Sequence, residues 1–221
     1  MSDVTPDTPA TPALPLLNEP APDFTATTTQ GPISLSDYRG KWVVLFSHPA
    51  DFTPVCSTEF LAFAKHASAF AQRDAQLIGL SIDSVHAHLA WLRDLEEMAG
   101  VEVPFPVIAD LDMKVAGRFG MIHPGASETA AVRAVFLIDP EGILRGMLYY
   151  PLSVGRSIPE VLRFLDALRF NDEQGMSTPA DWQPGDPAIV GAPKTMDEIR
   201  ADDPSGYHEY RRWYLRLNQA G

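Results

Sequence analysis

The residue with the most chemistry to offer is Cys56, the sole cysteine among 221 residues. Cysteine reacts as its thiolate, which forms where N–H donors and positive charge gather around the sulfur. Cys56 closes the segment PADFTPVC (Pro49–Cys56), in which Thr53 suits a helix N-cap and Pro54 the first helical position. Cys56 is therefore expected in the first turn of a helix running to about Arg73. There the N–H groups of Val55 and Cys56 lack intrahelical partners and the helix dipole favours an anion. Thr53, three residues before the thiol, brings a hydroxyl within reach of the sulfur or of a molecule bound beside it. Pro49 is placed to shield the sulfur from bulk water. Attack by a thiolate requires the group it displaces to be stabilised, and convergent donors do that. Plainer readings stand beside this one: a buried cysteine as a small inert hydrophobe, Thr53 as a simple cap, Pro49 as a loop former.

The elements that must hold such a turn lie between Phe24 and Phe170. WVVLFS (Trp42–Ser47) reads as a buried strand, and LIGLSID (Leu77–Asp83) as a second. Ser84 caps a helix from Val85 to about Ala99, stopped by Gly100. A short strand near Phe105–Ala109 precedes a short helix around Met113–Phe119. AVFLIDPEGILRGMLYY has the pattern of an antiparallel hairpin turning at Asp139–Gly142. Ser157 or Pro159 opens an amphipathic helix whose apolar residues are Ile158, Val161, Leu162, Leu165 and Leu168. The expectation is a mixed α/β domain over residues 21–170, with a Pro-rich disordered tail over 1–20. A C-terminal extension occupies 171–221, where Tyr207, Tyr210, Trp213 and Tyr214 point to packing or a subunit contact.

Composition narrows the function. A net charge of −12, from 17 Lys+Arg against 29 Asp+Glu, argues against nucleic acid and anionic membrane surfaces as partners. A single thiol rules out an internal disulfide and fits a reducing compartment, so the cytoplasm is expected. No apolar run is long enough to span a bilayer, and the first twenty residues lack the pattern of a secretory leader. His86 and His88, two apart on a helix, do not share a face, and neither zinc-spaced Cys/His pairs nor a Gly-rich phosphate loop is present. No metal or organic cofactor is expected.

The segment FSHPADFTPVCSTE resembles the Pro-x-x-x-Thr-x-x-Cys signature of peroxiredoxins, most closely the one-cysteine type. The likeness extends from APDF (Ala21–Phe24) through VRAVFLIDP (Val132–Pro140) and YYPLSVGR (Tyr149–Arg156) to STPADW (Ser177–Trp182). It implies a thioredoxin-like fold and a thiol-dependent peroxidase acting on hydrogen peroxide and alkyl hydroperoxides. In that reading Cys56 is the peroxidatic thiol, Thr53 bonds the peroxide and Pro49 covers the site. Arg133 would hold the thiolate and polarise the peroxide, a role that fits a permanently charged planar donor; without the family it reads as a surface charge. The likeness further assigns His48 to the pocket, Glu59 to orienting Arg133 and Arg156 to a supporting place behind them. Structural roles remain alternatives for His48 and Glu59. No second cysteine exists to resolve a sulfenic acid, so an external thiol must regenerate Cys56. A homodimer or a ring of dimers is implied. A redox-sensing protein and an inert thioredoxin-fold subunit are the rival classes.

Overall fold

The structure, a computed structural model, describes residues 14–219. By backbone contacts the chain divides into two compact units, Met1–Ile158 and Pro159–Gly221. The division falls twelve residues before the 170/171 boundary expected from composition, because the amphipathic helix groups with the residues C-terminal to it.

The first unit is built on a seven-stranded mixed sheet. In chain order its strands are β1 (Thr25–Thr28), β2 (Gly31–Ser34), β3 (Trp42–Ser47), β4 (Ala75–Ser81), β5 (Val107–Ala109), β6 (Arg133–Ile138) and β7 (Leu144–Tyr150). They lie side by side as β2-β1-β5-β4-β3-β6-β7. β3 runs parallel to β4 and β4 to β5, while β6 is antiparallel to β3 and to β7. The helices are α1 (Pro54–Ala71), α2 (Val85–Ala99) and α3 (Lys114–Arg118). The expected elements from Trp42 to Tyr150 are thus present within a few residues. The β1–β2 hairpin was not expected: its strands are four residues each and half exposed, so they carry little apolar periodicity.

Local chemistry explains the boundaries. Ser84 accepts a hydrogen bond from the Ala87 N–H at 3.2 Å and caps α2, which ends where Gly100 takes φ +63°. Thr53 stands in extended conformation ahead of Pro54, as an N-cap should, but makes no side-chain cap bond. Residues 1–13 of the expected tail lie outside the described residues. The chain is tied down before residue 20, since Asn18 N–H donates to the Leu144 carbonyl at 2.7 Å and Leu144 N–H to Glu19 at 2.9 Å.

β3 is buried on both faces. Val43 and Leu45 join a cluster with Ile78, Leu80, Phe136 and Ile138. Alternation sends Phe46 the other way, where it stacks on Phe63 of α1 at 4.0 Å and meets Phe60 edge-on at 5.5 Å. Each such buried phenylalanine contributes on the order of 1.5–3 kcal/mol. α1 is therefore pinned to the strand that precedes it, and with it the turn that carries Cys56.

The second unit comprises α4 (Ile158–Gln174), β8 (Ala188–Ile189), α5 (Met196–Ala201), β9 (Glu209–Arg212) and β10 (Leu215–Asn218). The strands form a small antiparallel sheet in the order β8-β10-β9. Trp182 is buried and packs on Phe170, with ring centroids 4.8 Å apart. Trp213 and Tyr214, at the β9–β10 turn, are 40% and 55% exposed.

Gly79 on β4 marks a close approach. A Cβ there would stand 3.2 Å from Phe60 and 3.5 Å from Phe46. Gly79→Val is expected to destabilise the protein by about 1–3 kcal/mol through overpacking, measured by denaturant unfolding; an unchanged midpoint would contradict this packing.

Candidate active site

Antiparallel pairing of β3 with β6 sets the end of one beside the start of the other: Phe46 is opposite Val135, with Ser47 and Arg133 next along that edge. Ser47 strengthens the join, its hydroxyl donating to the Val132 carbonyl while accepting from the Ala134 N–H at 3.1 Å. The chain leaves β3 through His48 and Pro49 and turns at Phe52, which holds φ +54°, a conformation rare outside glycine. It then enters α1 with Cys56 in the first turn. After β7 the chain returns through Arg156 to the same edge.

Cys56, Glu59, Arg133 and Arg156 converge there, none more than 6% exposed. The Arg133 guanidinium donates from Nη1 to Cys56 Sγ at 3.3 Å and to Glu59 Oε2 at 2.6 Å, while its Nε donates to the Leu152 carbonyl at 2.9 Å. Arg156 grips the same carboxylate: Nε reaches Oε1 at 2.8 Å, Nη2 reaches Oε2 at 2.7 Å, and its backbone N–H reaches Oε1 at 2.8 Å. Nη1 of Arg156 donates to the carbonyls of Ser47 and Ala134 at 2.8 and 2.9 Å, fastening this group to the ends of β3 and β6. Glu59 lies one turn after Cys56 on the same helix face, which is why one carboxylate can align the arginine that touches the sulfur.

Two guanidinium groups face one carboxylate, so the buried cluster carries one positive charge in excess. An anion at the sulfur, or an oxyanion formed beside it, completes the balance in a place where charge interactions are strong. Burial alone would push the Glu59 carboxyl up, but the hydrogen bonds and charge of Arg156, joined by the charge of Arg133, hold it below the ordinary glutamate range.

Thr53 is differently engaged than expected. Its hydroxyl donates to the Ala50 carbonyl at 2.9 Å, so the proton is committed and the oxygen is left as an acceptor. The N–H groups of Val55 and Cys56 precede the first helical bond, from Ser57 N–H to the Thr53 carbonyl at 3.0 Å. Pro49 is partly buried on the loop. His48 is fully buried, and its Nε2 meets Asp51 Oδ1 at 2.8 Å. The Asp51 carboxylate also meets His88 of α2 at 2.7 Å. The pairing of Asp51 with His88 was not read from sequence, where His88 was weighed only beside His86: helical spacing says nothing of a partner 37 residues away.

Glu59 gains protons less readily folded than unfolded, so its contribution to stability is full above the ordinary glutamate value of 4.5 and is lost as pH falls below it. Thermal melts should hold steady down to that pH and decline beneath it. Glu59→Gln, which leaves two buried cations with no carboxylate, should cost about 3–5 kcal/mol at neutral pH. A Glu59→Gln protein as stable as the parent would contradict the geometry.

The chain is similar to known proteins over most of its length. The AhpC/TSA family matches residues 17–147 and the C-terminal domain of 1-Cys peroxiredoxin matches residues 167–203. Peroxiredoxin 2 of Caldanaerobacter subterraneus is 54% identical over 204 residues, covering 91% of this chain and 92% of its own. The peroxiredoxin of Aquifex aeolicus is 51% identical, with 92% and 96% covered. Among solved structures, a yeast mitochondrial 1-Cys peroxiredoxin superposes with a TM-score of 0.81 at 41% identity, covering 92% of this chain and 99% of that one. A cysteine-to-serine mutant of peroxiredoxin 6 from Arenicola marina gives 0.81 at 35% identity, with 93% and 98% covered. With its mixed sheet flanked by helices and its single thiol, the chain belongs to the peroxiredoxin family and is a thiol-dependent peroxidase of thioredoxin-like fold.

Proposed function

We propose that Cys56 is the thiol that attacks the peroxide, and that Arg133, Thr53 and Pro49 form the rest of the reacting site. The observation that carries this reading is the 3.3 Å contact from Arg133 Nη1 to Cys56 Sγ, made by the same nitrogen that Glu59 holds at 2.6 Å. The thiolate sulfur donates an electron pair to one peroxide oxygen and the O–O bond breaks. The other oxygen leaves with that bond's electrons as alkoxide or hydroxide and takes a proton. Arg133 stabilises the charge as it moves from sulfur to oxygen. The Thr53 oxygen, its own proton engaged by Ala50, accepts the peroxide O–H and orients the oxygen to be attacked. The N–H groups of Val55 and Cys56 add donors at the helix start, Pro49 covers the sulfur, and Glu59 with Arg156 keeps Arg133 in place. His48 completes the pocket beside the oxidised sulfur. The thiol supplies both electrons, so the scheme calls for no metal or organic cofactor.

The product is a sulfenic acid. In a chain with one cysteine an external thiol must attack its sulfur and release water, and a second thiol then frees Cys56 from the mixed disulfide. The yeast relative's solved structure concerns thiol resolution via glutathione/thioredoxin systems, which supports a low-molecular-weight or protein thiol here. Substrates are hydrogen peroxide and alkyl hydroperoxides. A homodimer or ring of dimers is supported by the exposed Trp213 and Tyr214 of the C-terminal extension. Among the described residues no helix is long and apolar enough to cross a membrane, and a working free thiol favours the cytoplasm.

Cys56→Ser should abolish peroxide consumption in a steady-state assay with added thiol. Arg133→Ala should slow it by about 10²–10³-fold with Cys56 intact, the cost of losing a charge-stabilising donor. A serine variant that kept most of its rate would sink the assignment. Sustained turnover in that assay also separates a peroxidase from a sensor that oxidises once.

A further inference from the structure

Ser47 ends β3, a strand of otherwise apolar residues, and is fully buried. A hydroxyl in such a place is costly unless both its donor and its acceptor capacity are used. Ladder pairing of β3 with β6 stops one residue earlier, at Phe46 opposite Val135. Continued by one step, that register sets Ser47 opposite Ala134, and here the serine side chain takes over from the backbone. Its Oγ stands 2.5 Å from the Val132 carbonyl oxygen and 3.1 Å from the Ala134 nitrogen. A carbonyl oxygen only accepts, so the hydroxyl proton points at Val132 and a lone pair receives the Ala134 N–H. The same N–H lies 3.1 Å from the Val132 carbonyl oxygen, which closes a tight turn around the residue between them. That residue is Arg133.

The Val132 carbonyl and the Ala134 N–H belong to the two peptide groups that flank Arg133. Because peptide groups are planar, fixing both fixes the backbone dihedrals of Arg133 and the direction in which its side chain leaves the strand. The guanidinium at the far end meets three partners at once: Cys56 Sγ at 3.3 Å, Glu59 Oε2 at 2.6 Å and the Leu152 carbonyl at 2.9 Å. The Ser47 carbonyl has a separate task, accepting from Arg156 Nη1 at 2.8 Å. Ser47 thus anchors Arg156 through its backbone and Arg133 through its side chain, and a side-chain substitution addresses the second task alone.

We propose that Ser47 is a positioning residue for the peroxidase reaction, its hydroxyl setting the aim of Arg133 at the Cys56 sulfur. The proposal rests on the reading of Arg133 as the donor that stabilises charge passing from sulfur to oxygen. Donors of that kind act when held within about 0.5 Å of their working place, and a shift of about 1 Å costs on the order of 10²-fold. Without the hydroxyl, the Ala134 N–H keeps only its bond to Val132, so the turn relaxes but stays closed and a part of that cost is expected.

A double-mutant cycle on the full chain tests this, read as the second-order rate constant for oxidation of Cys56 by hydrogen peroxide. Ser47→Ala is expected to slow the reaction on the order of tenfold. In an Arg133→Ala background, where no guanidinium remains to be aimed, the same substitution should change the rate by less than about twofold. A hydroxyl that served stability alone would not produce this coupling. Should Ser47→Ala not fold, Ser47→Thr and Ser47→Val make the comparison: the two added side chains are alike in shape, and only the first keeps the hydroxyl. Ser47→Thr should then retain most of the rate and Ser47→Val should lose it. A parental rate in Ser47→Ala, an equal loss in both backgrounds, or a Ser47→Val chain as fast as Ser47→Thr overturns the proposal. An Arg133→Ala chain that keeps the parental rate overturns the reading of Arg133 itself, and the proposal with it.

Discussion

Everything at the reacting end of this protein depends on one buried carboxylate. Glu59 is held by two arginines through four hydrogen bonds, three from their guanidinium groups and one from a backbone N–H. Removing any one of these charges from so dry a place leaves the others uncompensated, which is far costlier than the loss of a surface ion pair. The excess of one cation over carboxylate in this cluster is what makes the neighbouring sulfur a place for negative charge. Under the proposed reaction, the structural network and the reactive one are the same network.

The sheet exists, from the site's point of view, to bring that network together. Arg133 begins β6, Glu59 rides on α1 and Arg156 comes after β7, so three distant stretches must arrive at one edge. Antiparallel pairing of β3 and β6 delivers the first, and aromatic packing of Phe46 on Phe60 and Phe63 fixes α1 against β3. Arg156 locks the arrangement by donating to the carbonyls of Ser47 and Ala134, one from each strand. Rigidity at the ends of these strands matters because donors help catalysis only when they stand ready before charge moves.

Much of the scaffold was legible in the chain. The apolar run of β3, the Ser84 cap and Gly100 stop of α2, and the hairpin turning at Asp139–Gly142 are local signals, each decided by a few adjacent residues. The position of Cys56 in a first turn was legible for the same reason. Arg133 was not, because nothing near it in sequence distinguishes an arginine beside a thiol from one in water; only the family likeness named it. The bond from the Thr53 hydroxyl to the Ala50 carbonyl was not legible, since it forms across a turn in which Phe52 takes a positive φ. The meeting of Asp51 with His88 escaped altogether, as it joins residues 37 apart in the chain. The short strands of the second unit were missed because two to four residues carry no readable period.

The account's central claim is that this cluster serves peroxide in particular, and does not merely hold a reactive thiol. The most direct measurement compares two rate constants at Cys56 by mass spectrometry: addition of one oxygen from stoichiometric peroxide, and alkylation by an iodoacetamide-type reagent of similar size. A site in which Arg133 stabilises the departing oxygen predicts that peroxide outpaces the alkylating agent by orders of magnitude, unlike a free thiol. Rates in the ratio found for a small free thiol would contradict it.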